Sequence, residues 1–153
     1  MVLTGVLPAT ALAEETSCRS SLGAVTVDNL RVPQGATCTL NGTRVQGTVK
    51  VERSATLNAT NIRVIGNIQA EGAANVRVRT STVGGSIQVV QGRNAAIDRN
   101  RVTGDVQFFE NRGTISIAGN RINGNLQCKA NNPPPTGGSN IVQGNKEDQC
   151  ARL

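Results

Sequence analysis

A glycine returns along this chain on a fixed count. The segments VQGTVKV (45–51), VIGNIQA (64–70), VGGSIQV (83–89), VTGDVQF (102–108) and INGNLQC (122–128) are variants of one pattern, V-x-G-x-V-Q. Their glycines, Gly47, Gly66, Gly85, Gly104 and Gly124, are spaced 19, 19, 19 and 20, and a weaker VQGN places Gly144 one further repeat on. A unit this short cannot bury an apolar face by itself, so it must stack on its neighbours to build a shared core.

The rest of each unit keeps the same register. Seven positions before the leading aliphatic come Cys38, Leu57, Val76, Ala95 and Ile115; five before come Leu40, Ala59, Val78, Ile97 and Ile117. Four after come Val49, Ile68, Ile87, Val106 and Leu126, and six after come Val51, Ala70, Val89, Phe108 and Cys128. Within each segment apolar and polar residues alternate, the period of a strand. The expectation is an all-β, single-domain parallel β-helix (a β-solenoid) of about 19 residues per coil and five to six coils. At ~4.8 Å per rung such a rod is about 25–30 Å long. Left-handed solenoids keep a strict hexapeptide count, so a longer repeat with uneven strands predicts a right-handed coil.

The narrow coil explains an odd composition. Phe108 and Phe109 are the only aromatics among 153 residues, and Trp, Tyr and His are absent. Without His the chain lacks the commonest general base and the usual zinc ligand. No cofactor or metal site is expected.

Residues 2–13, VLTGVLPATALA, are apolar and end in A-L-A before the acidic EETS. They read as a secretory signal at 1–13 with a truncated n-region and cleavage before Glu14, which predicts a secreted, extracellular product. Twelve apolar residues are too few to cross a bilayer, so no membrane span is expected. An N-terminal cap segment (14–24), the repeats (25–128) and a C-terminal capping coil with a Pro/Gly-rich loop (129–153) follow.

Exported chains form disulfides, and four cysteines allow three pairings. Cys18 and Cys38 lie about one coil apart, as do Cys128 and Cys150, with a long cysteine-free stretch between the two groups. That clustering favours Cys18–Cys38 and Cys128–Cys150, each stapling an end coil to its neighbour. Open strand edges invite polymerisation, so both ends read as closed, and a monomer or weak edge-to-edge self-association is expected.

The stretch CTLNGTRVQGTVKV, the G-x-V-Q rungs and the ending NLQCKANNPPPTGGSNIVQGNKEDQC resemble a family of small, uncharacterised exported proteins from actinobacteria. The resemblance covers nearly all of residues 25–150; it implies export and a β-helix, and no activity. The rungs are similar in style to bactofilins, which are polymer-forming, cytoplasmic and without cysteine-bolted ends.

Two functional patterns compete on the surface. Immediately before each leading aliphatic stand Arg44, Arg63, Thr82, Arg101 and Arg121, and Arg77, Arg79, Arg93 and Arg99 add charge to the middle coils of a chain with net charge +6. Guanidiniums at rung spacing suit a polyanion such as an acidic polysaccharide or a cell-wall polymer. Nucleic acid ranks last among these, because nothing aromatic is present to stack bases. The second pattern is Glu52 and Glu71, which share a repeat position and suggest a carboxylate pair of the glycosidase type. Solvated carboxylates eased by Arg53 and Arg63 are the simpler reading, and no catalytic residue is assigned.

Other columns read as structural. Lys50, Gln69, Gln88, Gln107 and Gln127 form an amide column able to bond along the rod, and Asn100, Asn120 and Asn140 read as corner residues. Thr37, Thr56, Asn75 and Asn94 are too irregular for an ice-binding array and read as ordinary surface positions. The chain is therefore expected to be a secreted, non-catalytic structural or interaction protein.

Overall fold

The computed structural model describes residues 14–153, so the expected signal segment at 1–13 lies outside the described residues. All regular elements among the described residues are strands, arranged in three parallel sheets that the chain visits in turn. Sheet 1 runs through Asn29–Val32, Val49–Val51, Ile68–Glu71, Ile87–Val90, Val106–Phe109 and Leu126–Lys129. Sheet 2 contains Thr37–Asn41, Thr56–Thr60, Asn75–Arg79, Asn94–Asp98 and Ile115–Ala118. The narrow sheet 3 contains Arg44–Val45, Arg63–Val64, Thr82–Val83, Arg101–Val102 and Arg121–Ile122. Equivalent residues sit over one another: Ile68 pairs with Val49 on one side and with Ile87 on the other.

The coil count exceeds the expectation of five to six. Sheet 1 has eight strands and the other two have seven each, about seven turns. The turn beyond that expectation comes from the N-terminal segment, and the last coil is the expected C-terminal capping coil. Glu15–Ser17, Ser21–Leu22 and Thr26–Val27 form a first coil, and Thr136–Gly138, Ile141–Val142 and Lys146–Asp148 form a last one. Glu15 pairs with Asn29 and Ser21 with Thr39, both intervals shorter than the repeat, so the first coil is abbreviated and lacks the repeat's signature. Ala95 pairs with Ile115 where Val76 paired with Ala95, which shows where the repeat lengthens by one. The added residue lies in the corner holding Gly113.

Alternation decides what goes inside. Val45, Val64, Val83, Val102 and Ile122 are fully buried, as are the columns Leu30–Val49–Ile68–Ile87–Val106–Leu126 and Cys38–Leu57–Val76–Ala95–Ile115. Phe108 is enclosed in this core, and Phe109, next in sequence, is only half-buried on sheet 1.

The recurring glycine is required by close approach. A Cβ on Gly66 would lie 2.5 Å from the Gly47 carbonyl oxygen, and one on Gly85 would lie 2.7 Å from the Gly66 oxygen. The backbone at this corner stacks directly on the rung before it, so no side chain fits. The corner from sheet 2 to sheet 3 needs something different: Gly42, Asn61, Thr80, Arg99, Gly119 and Ser139 all have φ between 50° and 71°. The first five each donate an N–H to a carbonyl of the following rung, as from Asn61 to Arg79 at 3.1 Å. Those bonds offset the cost of left-handed backbone at residues with a Cβ.

Both disulfides join the pairs expected from spacing, Cys18–Cys38 and Cys128–Cys150, with Cα–Cα separations of 5.4 and 5.3 Å. All four cysteines are buried. Beyond the last strand a turn over Gln149–Leu153 brings Leu153 against the core. Two disulfides fit an oxidising compartment. No helix of the described residues is long and apolar enough to cross a membrane.

Candidate polyanion-binding face

Sheet 3 turns its arginine column outward because Val45, Val64, Val102 and Ile122, next in sequence, point inward. Arg44 pairs with Arg63, Arg63 with Thr82, Thr82 with Arg101, and Arg101 with Arg121, so the five residues form one straight row. All five are exposed. Neighbouring members of the row stand ~4.8 Å apart along the rod. Thr26 precedes the row on the first coil and Ile141 ends it on the last.

None of these four arginines joins an ion pair among the described residues. The pairs present there are Arg31–Glu15 (3.1 Å), Arg31–Glu52 (3.2 Å), Arg99–Asp98 (3.3 Å) and Arg79–Asp98 (4.0 Å). The strands of sheet 3 carry no acidic residue. Asp105 lies in the corner leading from it to sheet 1, where its Oδ1 accepts the Asn125 N–H at 2.7 Å. Other acidic side chains collect at the corner after sheet 1, at the end of sheet 2 and on the terminal coils. The row itself is a field of one sign.

Arg77 and Arg79, the other candidate polyanion-binding residues, add their charge to the middle coils on a different face from this row. Both lie on sheet 2, where Arg77 is flanked by Asn58 and Ala96 and Arg79 by Thr60 and Asp98. The left-handed corner at Thr80 intervenes and turns the chain onto another face. Arg79 is also drawn to Asp98.

The carboxylate pair does fall on adjacent rungs, beside a groove of about 730 Å³ on sheet 1 lined by Lys50, Glu52, Arg53, Gln69, Glu71 and Gln88 among others. Glu52 is held by Arg31 through Nη1–H to Oε1 at 3.2 Å and by the Gln34 N–H to Oε2 at 3.2 Å. Its cationic partner is thus Arg31, from the rung below, and not Arg53 or Arg63. Glu52 is a fastener between rungs. No group of three or more Cys, Asp and Glu side chains that could hold a metal occurs among the described residues.

The amide column forms as expected over part of its length. Gln88 donates to Gln107 at 2.8 Å, Gln107 to Gln127 at 2.7 Å, and Gln127 to Glu147 at 2.6 Å. Asn100, Asn120 and Asn140 do occupy corners, and they are buried. The Oδ1 of Asn120 accepts the Asn100 N–H at 2.9 Å, and its Nδ2–H donates to the Ile97 carbonyl at 2.9 Å. A second buried column, Asn111 and Asn131, escaped the sequence reading. Asn111 accepts the Gly92 N–H at 2.8 Å and donates to the Val89 carbonyl at 2.9 Å. Asn111 and Asn131 lie one coil apart in the sequence, and that interval was the available signal.

Searches of protein-family models, of curated proteins and of solved structures each return no match to this chain.

Proposed function

We propose that this protein is an exported, non-catalytic structural or interaction module that engages an acidic polysaccharide or another cell-envelope polyanion through sheet 3. The observation that carries this reading is the row Arg44, Arg63, Arg101 and Arg121, exposed, in register and without an acidic partner among the described residues. Four like charges in line repel one another, and no ion pair among the described residues puts them to use in folding. A polyanion laid along the rod relieves that repulsion and adds charge-assisted hydrogen bonds. Export rests on the 1–13 segment and fits the two disulfides. The non-catalytic reading is supported by Glu52, whose carboxylate is occupied by Arg31 and the Gln34 N–H.

The test is binding of residues 14–153 to polygalacturonate, with uncharged dextran as control, by calorimetry across a range of salt concentrations. Binding that weakens as salt rises, and that disappears when the four arginines become Gln in a protein still folded by circular dichroism, is the expected result. Equal binding by the Gln variant removes the arginine row from the proposal. Cleavage of the polymer that Glu52→Gln abolishes would replace the reading with an enzymatic one.

A further inference from the structure

The arginine row is interrupted once, and the interruption has a shape. Between Arg63 and Arg101 stands Thr82, and two positions on, also facing outward, stands Gly84. Gly84 is not free to carry a side chain: a Cβ there would strike the Ile65 carbonyl oxygen and sit 3.3 Å from its carbon. This rung is therefore low across its whole outer width, while the rungs on either side carry Arg63 with Ile65 and Arg101 with Thr103. Ile65 is 53% exposed, one of the few large apolar side chains left in solvent among the described residues. The result is a shallow gap between two arginines whose backbones stand about 10 Å apart along the rod, with a hydrophobic shoulder on one side.

We infer that this notch is a subsite for a single acidic sugar ring of the bound polymer. Its carboxylate sits between Arg63 and Arg101, and its ring lies over Gly84 against Ile65. The inference rests on the polyanion reading and narrows it. Arginine side chains are long enough to lean from both walls onto one group placed over Thr82, and a planar carboxylate accepts two forked donors well. A polyphosphate chain satisfies the charges but presents no ring to Ile65. The hydrophobic shoulder is what favours the carboxylated sugar.

Substitution of Thr82 by Arg tests this by sign. The same repeat position carries Arg on four other rungs, so the fold accepts it. If the row were only a strip of charge, T82R would tighten binding to every polyanion. A filled notch instead weakens oligogalacturonate binding by about three- to tenfold while leaving polyphosphate binding equal or tighter. Ile65→Thr is the second variant, expected to weaken oligogalacturonate about threefold and to leave polyphosphate unchanged. Tighter oligogalacturonate binding by T82R, or an equal effect of Ile65→Thr on both polymers, overturns the subsite and leaves the arginine face standing. Failure of the unmodified protein to bind either polymer overturns the polyanion reading, and the subsite with it.

Discussion

The two halves of the rod hold their corners with different chemistry. Between sheets 2 and 3 the inward corner position reads Thr43, Ile62 and Ser81 in the N-terminal half, and Asn100, Asn120 and Asn140 in the C-terminal half. Between sheets 1 and 2 the same contrast appears as Ala55 and Ala73 against Asn111 and Asn131. In the first half the corners are filled by small hydroxyl or aliphatic side chains, with Ser81 accepting the Ile62 N–H at 3.1 Å and Thr43 donating to the Gly23 carbonyl at 2.8 Å. In the second, each amide bonds a backbone N–H and a backbone carbonyl of the preceding rung. The same coil can thus be closed by aliphatic contact, by a single hydroxyl or by a two-sided amide network. The amide corners leave the most buried groups stranded when they are broken.

The largest test of that contrast is Asn120→Leu. It strands the Asn100 N–H and the Ile97 carbonyl, and a loss of about 3–5 kcal/mol is expected in denaturant unfolding. A loss no greater than that of Ile62→Ala would erase the distinction between the halves. Next come the staples, with sequence separations of 20 and 22. Loop entropy predicts about 3 kcal/mol for either Cys18→Ser/Cys38→Ser or Cys128→Ser/Cys150→Ser. Unequal losses would show that one end coil depends on its disulfide more than the other. Gln107→Leu breaks two half-exposed side-chain bonds, and a loss of about 1 kcal/mol is expected by the same measurement. The smallest effect belongs to Ile62→Asn. The Asn lends an acceptor to the N–H of Thr43 in the manner of Asn120, so a change within about 1 kcal/mol is expected despite the buried aliphatic lost. A loss comparable to that of Asn120→Leu would mean that the amide column cannot be extended toward the N-terminus.

The middle of the fold was legible because alternation and a regular count act on the same residues. Val45, Val64 and Val83 come one coil apart, and each must face inward if its neighbours do. The first coil falls outside the count because its constraint is weaker. It pairs Glu15 with Asn29 and Ser21 with Thr39, and those shortened intervals break the count that reveals the others. Asn111 and Asn131 were missed for a chemical reason: Asn suits an exposed turn as well as a buried ladder, and the residues preceding them in the column are Ala and Gly, which share no side-chain chemistry with it. At the candidate site, sequence placed Arg44, Arg63, Arg101 and Arg121 on one row. It could not see that the corner at Thr80 carries Arg77 and Arg79 to a different face, because a small shift along the chain there is a change of sheet. The role of Gly84 was equally hidden, since its constraint comes from the rung beneath it.

The third corner, between sheets 3 and 1, runs its bonds the other way. There Asn29 accepts from Thr48, Asn67 from Ser86 and Asn125 from Asn145, so each acceptor belongs to the earlier coil and each donor to the later one. At the amide corners the earlier coil instead supplies the N–H and waits for the later side chain. The side-chain bonds of the corners thus have a polarity along the chain. A coil added after its predecessor finds side-chain acceptors at this corner already in place, while the N–H groups held by the amide columns are met only by the side chains of the next coil. Closure thus passes forward along the chain until Gln149 takes the Asn131 N–H at 2.9 Å.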